Sequence, residues 1–412
     1  MYSFSGKIKL VAIISMVVGL LGIGYSFIAT PSTVEALGAH ASHDPAHAEH
    51  VLHLLQNKPW AALYVAALFF MLISLGVLAF YAINRAAQAG WAPILFRVME
   101  GITGYLPIGA LIFFLLLVFS GLHFNHLFIW MDPAVVAHDK VIQGKTGYLN
   151  VPFFLVRAAV YMLGWIAYRQ ITRKLSKAQD QAHDNRPFVK AFKWSAGFLV
   201  FFLVSESMMS WDWVMSVDPH WFSTLFGWYV FGSLIASAIA AIILVTVTLK
   251  SQGYLEHVND SHLHDLAKYL FGFSIFWTYL WFSQYLLYWY SNIPEEVTYF
   301  VTRLEHYEPI VLSMLAINFL LPLLILVDSD IKRKPWVVGT MAVVILVGHY
   351  LDFFNMIMPA TVGDQWCIGA GEIGSVLFFF GLFTFVTFRT LTKAPLVEKN
   401  HPLIHESEHF HY

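Results

Sequence analysis

The sequence predicts an all-α integral membrane protein with ten transmembrane helices and both termini in the cytoplasm. Three observations support this prediction: an apolar composition, ten apolar segments of spanning length, and an uneven distribution of basic residues. Hydrophobic residues make up 58% of the 412 residues and charged residues only 12%, whereas soluble domains have about a quarter charged residues. The mean hydropathy is +0.63. This composition excludes a soluble multidomain protein, and a net charge of −2 gives no reason to expect nucleic acid as a partner.

Ten apolar segments reach the length of about 20 residues that a helix needs to cross a bilayer. These predicted spans lie near residues 8–29, 60–83, 100–124, 150–171, 192–216, 222–248, 266–290, 308–328, 335–358 and 370–391. The first follows Lys7 and Lys9 as a signal peptide would, but the Ala-Thr-Pro-Ser after it is a poor cleavage site. We therefore expect it to remain as a spanning helix.

Basic residues indicate the orientation of the spans. With the N-terminus inside, 19 of the 24 Lys and Arg residues fall in inner loops and tails. Outside are only Lys58, Lys140, Lys145 and Arg303, while Arg157 falls within the fourth span. Because cytoplasmic loops carry an excess of Lys and Arg, both termini are predicted to be cytoplasmic.

A faint internal repeat predicts two related four-helix bundles. SWDWVMSVDP (residues 210–219) ends the fifth span and YLDFFNMIMP (350–359) ends the ninth, each with an Asp seven residues before a Pro. HFNHLFIWMDP (123–133) and QYLLYWYSNIP (284–294) end the third and seventh spans. The shared offset of four spans groups spans 2–5 and 6–9, with spans 1 and 10 as additions. The predicted units are residues 1–59, 60–216, 217–358 and 359–412.

The stretch ESMMSWDWVMSVDPHWF (206–222) is the centre of the functional prediction. Glu206 and Asp212 lie within the fifth span, where a charge costs about 2.5–3.5 kcal/mol, so such acids commonly mark ion or proton paths. His349 and Asp352 are three apart and share a face of the ninth span. Glu100 opens the third span. Together these five residues are predicted to move protons; the alternative is a static network of neutral, hydrogen-bonded groups.

Polar residues at the outer ends of the spans suggest a second site. His126, Asp132, Asp218 and His220 are candidates for an outer quinone pocket, in a region rich in aromatic residues. Aromatic belts at the membrane interface explain the same richness without a ligand. The single Cys367 excludes covalent haem attachment through CxxCH and a cysteine-ligated iron–sulfur cluster in this chain alone. His123 or His126 on the third span could face His349 on the ninth span as axial ligands of a haem. The repeat places these two spans in different bundles, however, and no pair of helices offers two matched sets of histidine ligands.

Three hydrophilic segments are expected to be solvated. The loop after the first span carries a row of histidines that suits either metal binding or, as we favour, a solvated docking loop. These are His40, His43, His47, His50 and His53. The basic segment 168–193 is expected to be a solvated cytoplasmic hairpin. The tail, with its four histidines after residue 400, is expected to be disordered or bound to a partner.

The combination of ten spans, two bundles, WDWVMSVDPHW (211–221) and WFSQYLLYWYSNIPEE (281–296) resembles one family. The chain is similar to the NrfD-like membrane subunits of bacterial alternative complex III, a quinol:cytochrome c or quinol:acceptor oxidoreductase, and most similar to the second, shorter one. The resemblance implies a homologous NrfD-like subunit, an iron–sulfur subunit, c-type cytochrome subunits and a terminal oxidase as partners, besides membrane lipid. Haem c and iron–sulfur clusters would sit on those partners, and quinol is the implied substrate.

The resemblance implies a subunit that supports quinol oxidation and proton translocation without a redox centre of its own. On it, Glu206 and Asp212, and His349 and Asp352, take the proton path. Two alternatives remain open at this point: a stand-alone secondary transporter of an ion or small solute, and an anchor for extrinsic redox subunits in which all the acids are silent.

Overall fold

A computed structural model describes residues 1–35 and 45–411, and within them the chain is helical, without strands. The helices are α1 Gly6–Ala29, α2 Pro45–Ala86, α3 Phe96–Ile102, α4 Leu106–Gly121, α5 Pro133–His138, α6 Lys140–Gln143, α7 Val151–Gln179, α8 Arg186–Trp213, α9 Phe226–Ser251, α10 Asp260–Ser291, α11 Pro294–His306, α12 Glu308–Leu315, α13 Leu321–Ile325, α14 Pro335–Val362, α15 Ala370–Leu391 and α16 Ile404–Glu408. A π-helical turn, Ala316–Leu320, joins α12 to α13.

In the described ranges, nine helical segments are long and apolar enough to cross a membrane. They coincide with nine of the ten predicted spans, which confirms an α-helical, multi-pass membrane protein. The remaining predicted span, 266–290, lies inside α10, which is 32 residues long. Its Trp, Tyr, Ser and Gln residues lower its mean hydropathy. Helix α10 is therefore long enough to cross a membrane but is less apolar than the other nine segments.

Two closed rings of four helices form the body of the protein. In the first ring, α2 packs on α4, α4 on α7, α7 on α8, and α8 on α2. In the second ring, α12, the π turn and α13 together act as one helical segment. Helix α9 packs on α10, α10 packs on the π turn and α13 of this segment, α12 of the same segment packs on α14, and α14 packs on α9. Helices α2 and α9 pack on each other, and in their most apolar windows 94% and 83% of residues are buried. The two rings therefore share a central seam.

Helices α1 and α15 form an antiparallel pair outside the rings. Glycines allow their backbones to touch: a Cβ at Gly19 would lie 2.4 Å from the backbone nitrogen of Phe378, and one at Gly381 would lie 2.5 Å from the carbonyl oxygen of Ala12. Small residues at such contacts are the usual means by which membrane helices pack closely. Because α1 begins where α15 ends, both chain termini lie at one end of the bundle, here called the terminal face.

The tail folds back over the terminal face, so the expected disordered tail was wrong. His401 and Glu398 are buried. The Ser407 hydroxyl donates to the Trp91 carbonyl at 2.7 Å and accepts from the Ile94 amide at 3.2 Å. Burial and the nearby charge of Arg85 lower the pKa of His401 to about 3, so this imidazole is neutral at physiological pH. The tail is a folded part of the protein.

We expect Ser407→Ala to release the tail from the terminal face. The substitution removes both hydrogen bonds of the Ser407 hydroxyl and so leaves the Ile94 amide without this acceptor, at a cost of about 1–3 kcal/mol. Hydrogen exchange of residues 395–411 should accelerate, whereas His405→Ala, at an exposed position, should leave it unchanged. Equal protection in both variants would contradict the role assigned to Ser407.

The other two hydrophilic segments also differ from expectation. Helix α7 continues to Gln179, and its Thr172 and Ser176 are buried, so only residues 180–185 connect it to α8. The expected solvated hairpin was therefore wrong over the end of α7. His40 and His43 lie outside the described residues. His47, His50 and His53 are exposed as expected, but they lie on a helix and not in a loop, because α2 begins at Pro45.

Candidate functional site

A buried ion pair joins α7 to α8 in the first ring. The Arg157 Nε and Nη2 atoms donate to Asp212 Oδ2 and Oδ1 at 2.8 and 2.9 Å. Asp212 is fully buried and Arg157 is 5% exposed. The Tyr161 hydroxyl donates to Asp212 Oδ2 at 3.3 Å. Two parallel, charge-assisted bonds fix both side chains, so Asp212 has a counter-charge that sequence reasoning did not assign to it.

Aromatic rings hold the arginine of this pair. The Arg157 guanidinium carbon lies 3.8 Å from the Tyr148 ring centroid and 4.3 Å from that of Phe153. Its Nη1 donates to the Tyr148 carbonyl at 2.9 Å. Cation–π contacts of this kind gain strength where water is excluded. A charge within an apolar span was the signal for this pair, since such charges usually find a partner in the bundle.

An aromatic cavity of about 440 Å³ opens beside the ion pair, at the end of the bundle opposite the terminal face. Its lining includes Tyr148, Trp211, Ser216, Trp221 and Phe222. The Tyr148 hydroxyl, which lies near the Asp212 carboxylate, and the indole N–H groups of Trp211 and Trp221 are buried, and none has a hydrogen-bond partner within 3.5 Å among the described residues. Buried Tyr and Trp polar atoms usually find one. These three donors require water or a ligand that carries hydrogen-bond acceptors.

Glu206 lies six residues before Asp212 on α8, about 9 Å closer to the terminal face at 1.5 Å per residue. It is 3% exposed, and its Oε1 atom has no hydrogen-bond partner. Within the described ranges, no Lys, Arg or His forms an ion pair with it. Glu206 therefore differs from Asp212: it can take up or release a proton without breaking an ion pair.

In the second ring, Asp352 is the acceptor of a hydrogen-bond network. The Tyr229 hydroxyl donates to its Oδ1, and Ser233 and Trp277 donate to its Oδ2 at 3.0 and 2.8 Å. The Ser233 hydroxyl also lies 2.9 Å from His349 Nδ1. Asp352 and His349 are both fully buried. The structure thus joins the two predicted residues of the ninth span through Ser233.

Several buried polar atoms of the second ring have no partner. They are His349 Nε2, Asn355 Oδ1, Ser274 Oγ and both amide atoms of Asn318. His349, Asp352 and Asn355 recur every three residues on α14, and Asn318 lies in the π turn of the neighbouring helix. Asn318 packs against Gly348, where a Cβ would lie 2.0 Å from its Oδ1. Such a row of unsatisfied polar atoms requires water or a bound polar species.

A second shared feature of the two rings was missed in the sequence. Tyr64-Val65 on α2 and Tyr229-Val230 on α9 occupy the central helix of each ring. Tyr64 donates to the carbonyl of Trp213, beside Asp212, at 2.7 Å, while Tyr229 donates to Asp352 itself. The repeated Tyr-Val pair was the signal that could have identified these tyrosines.

Glu100 lies in a cluster of charges at the terminal face. Its Oε1 accepts from Tyr81 at 3.0 Å, and its Oε2 pairs with Arg173 and, at 3.4 Å, with Arg97. The tail contributes Glu398, which pairs with Arg85. Glu100 is therefore neutralised by two arginines. None of the described hydrogen bonds connects this cluster to Glu206.

The four residues predicted to form an outer pocket each have separate contacts. His126 is exposed and its ring lies 5.9 Å from that of His53, while Asp132 caps α5 by accepting from the Ala134 amide. His220 lies 2.5 Å from Asp139 and lowers the pKa of that carboxyl through this hydrogen bond. Asp218 is half-buried next to the aromatic cavity. No hydrogen bond or cavity among the described residues is common to these four.

The described residues contain no cluster of three or more His, Cys, Asp or Glu side chains arranged for a metal ion. Comparison of the chain with protein-family models and with curated proteins found no match to either.

Proposed function

We propose that this chain is a membrane subunit of a respiratory quinol:electron-acceptor oxidoreductase of the alternative complex III type. The observation that supports this best is the aromatic cavity beside the Arg157–Asp212 pair. Its volume falls in the range of about 300–1,000 Å³ that is usual for ligand pockets. Its unsatisfied donors suit the oxygens of a quinol or quinone head group, and aromatic side chains suit its ring.

In this proposal the chain binds quinol and does not carry electrons itself. Bound quinol supplies two electrons and two protons when it is oxidised, and the electrons pass to iron–sulfur and haem c groups of partner subunits. Tyr148, Trp211 and Trp221 position the oxygens of the head group. The Arg157–Asp212 ion pair lies beside the cavity and provides a dipole whose orientation is fixed by its two hydrogen bonds. His126, Asp132 and His220 remain outside this assignment.

Membrane topology forms part of the same proposal. The terminal face is placed on the cytoplasmic side of the bacterial inner membrane because most Lys and Arg residues lie there. With α10 as the tenth span, the two rings become two related four-helix bundles, spans 2–5 and 6–9. The aromatic cavity then opens at the outer side. The partner subunits in this proposal are the homologous NrfD-like subunit, the iron–sulfur subunit, c-type cytochromes and a terminal oxidase.

Removing the donors of the aromatic cavity tests this function. We expect Tyr148→Phe or Trp211→Phe in the assembled complex to raise the KM for quinol up to about tenfold, because one hydrogen bond is worth about 0.5–1.5 kcal/mol. Steady-state quinol:acceptor activity of membranes measures this. Trp289→Phe, at a residue 65% exposed on α10, is the matched control and should leave KM unchanged. Unchanged KM in all three variants would reject the cavity as the quinol site.

One observation favours a second function, a secondary transporter. Transporters commonly have interrupted helices near the membrane midplane. In this chain a π turn interrupts the α12–α13 segment before Pro322, and it contains Asn318, whose side-chain amide has no hydrogen-bond partner among the described residues. Purification from native membranes separates the two functions. A transporter is expected alone, whereas the oxidoreductase subunit is expected together with proteins that show haem and iron–sulfur absorption.

A further inference from the structure

A second, basic cavity of about 360 Å³ lies at the terminal face between α4, α7 and α15. Five of the residues that line it are cations: Arg169, Arg173, Lys177, Arg389 and Lys393. No acidic residue lines it. Arg169, Arg173 and Lys177 recur every fourth residue on α7 and so share one face of that helix. Arg389 near the end of α15 and Lys393 in the turn after it line the same cavity.

The positive charge of this basic cavity is largely uncompensated. Arg173 pairs with Glu100, which it shares with Arg97. The other four cations make no ion pair within the described ranges, and the Nε atom of Arg169 is buried without a hydrogen-bond partner. Holding like charges together around a cavity is unfavourable in the absence of an anion. The unpaired, buried Arg169 nitrogen is an independent indication that an acceptor belongs here.

The same cavity has an apolar side. Ile108, Phe385 and Val386 are its apolar lining residues, and Phe385 lies one turn before Arg389 on α15. Ile108 is 38% exposed on a helix of spanning length, so it faces the lipid region. Charge at the membrane surface and apolar side chains one turn deeper match a phospholipid, with its phosphate outside and its acyl chains inside. A free phosphate ion would not use the apolar side.

We propose that the basic cavity binds the phosphate of an anionic phospholipid, with Arg169 and Arg389 as its main contacts and the acyl chains along Ile108 and Phe385. Basic pockets between membrane helices on the cytoplasmic side are suited to anionic headgroups. This inference does not depend on quinol chemistry. It assigns a ligand to a part of the protein that is separate from the aromatic cavity and that adjoins, among the buried acids, Glu100 through its pair with Arg173.

Lipid binding by the purified chain, or by its complex, tests the inference. Native mass spectrometry in detergent, with phosphatidylglycerol added at increasing concentration, should show one tightly bound lipid. Each cation near a membrane surface contributes enough affinity that its removal costs about fivefold. Arg169→Gln and Arg389→Gln should each weaken binding by that factor. Lys174→Gln, an exposed cation on the same helix that does not line the cavity, is the matched control.

Two further ligands distinguish the source of the phosphate. Phosphatidylcholine should bind far more weakly than phosphatidylglycerol, and millimolar inorganic phosphate should not displace the lipid. Equal binding of the two lipids, or equal loss in the Lys174 and Arg169 variants, would overturn the proposal. Displacement by inorganic phosphate would reassign the cavity to a free anion and equally overturn the lipid assignment. Normal thermal melting of each variant shows that it is folded.

Discussion

Arg157→Met will lower the free energy of unfolding by about 3–5 kcal/mol, the cost of leaving one partner of a buried ion pair without the other. Asp212 is fully buried and would keep only the hydrogen bond from Tyr161, at 3.3 Å. The cation–π contacts of Arg157 with Tyr148 and Phe153 are lost as well. Unfolding of the purified protein in mixed micelles, followed by helical circular dichroism, measures the change.

Two further variants separate the ion pair from a general effect of substitution. Arg157→Met combined with Asp212→Leu should recover most of the lost stability, because replacing both partners of a buried pair with apolar groups is often neutral. Arg186→Gln removes the exposed partner of Asp184, whose pair is 87% and 54% exposed, and should cost at most about 0.5 kcal/mol. If Arg157→Met behaved like Arg186→Gln, the pair would contribute no stability and Asp212 would be free to act as an acid.

The helices were predictable because hydropathy and length are local properties of the sequence. A run of about 20 apolar residues specifies a spanning helix whatever surrounds it, so nine of the ten spans coincide with apolar helices of spanning length. The same reasoning was weakest for α10, where Trp and Tyr replace aliphatic residues. It also missed the amphipathic ends: α2 begins at Pro45 and α7 continues to Gln179, beyond the apolar core of each helix.

The contacts of the candidate site depend on which helix faces which, and spacing along one helix does not determine this. The sequence identified Glu206, Asp212, His349 and Asp352 as costly groups within spans, and all four are buried. Their partners come from other helices: Arg157 from α7, and Tyr229 and Trp277 from α9 and α10. The folding of the tail onto Arg85 likewise depends on tertiary packing, since Glu398 and His401 look like solvated residues in isolation.

The aromatic cavity shows why the outer pocket was assigned to other residues. Charged and imidazole side chains are conspicuous in a sequence, whereas Tyr148, Trp211 and Trp221 look like members of an aromatic belt. Only in three dimensions do their polar atoms prove to lack partners. Several such atoms around one cavity, more than the presence of acids, therefore identify the candidate site in this protein.

If the chain is the proposed oxidoreductase subunit and Glu206 lies on its proton path, we expect Glu206→Gln to slow proton translocation while leaving the fold intact. The amide matches the carboxyl in size, and no ion pair is lost, so the free energy of unfolding should change by less than about 1 kcal/mol. An amide cannot take up or release a proton at this position, so a proton path through Glu206 predicts a decrease of about 10²-fold in the coupled rate, the usual effect of losing an acid–base group. Proton release per quinol oxidised by the complex in sealed vesicles measures the effect.

Another buried acid supplies the matched control for this experiment. Glu372 is 3% exposed and its Oε2 accepts from the Gly369 amide at 2.9 Å at the start of α15, a capping role that Glu206 lacks, although the Oε1 atoms of both acids have no described partner. Glu372→Gln should therefore lower stability slightly and leave proton release unchanged. If Glu206→Gln also left it unchanged while His349→Gln abolished it, protons would move through the second ring, where His349 Nε2, Asn318 and Asn355 have unsatisfied atoms. If neither variant had an effect, the buried acids of both rings would be structural, and the chain would serve as an anchor for its partners.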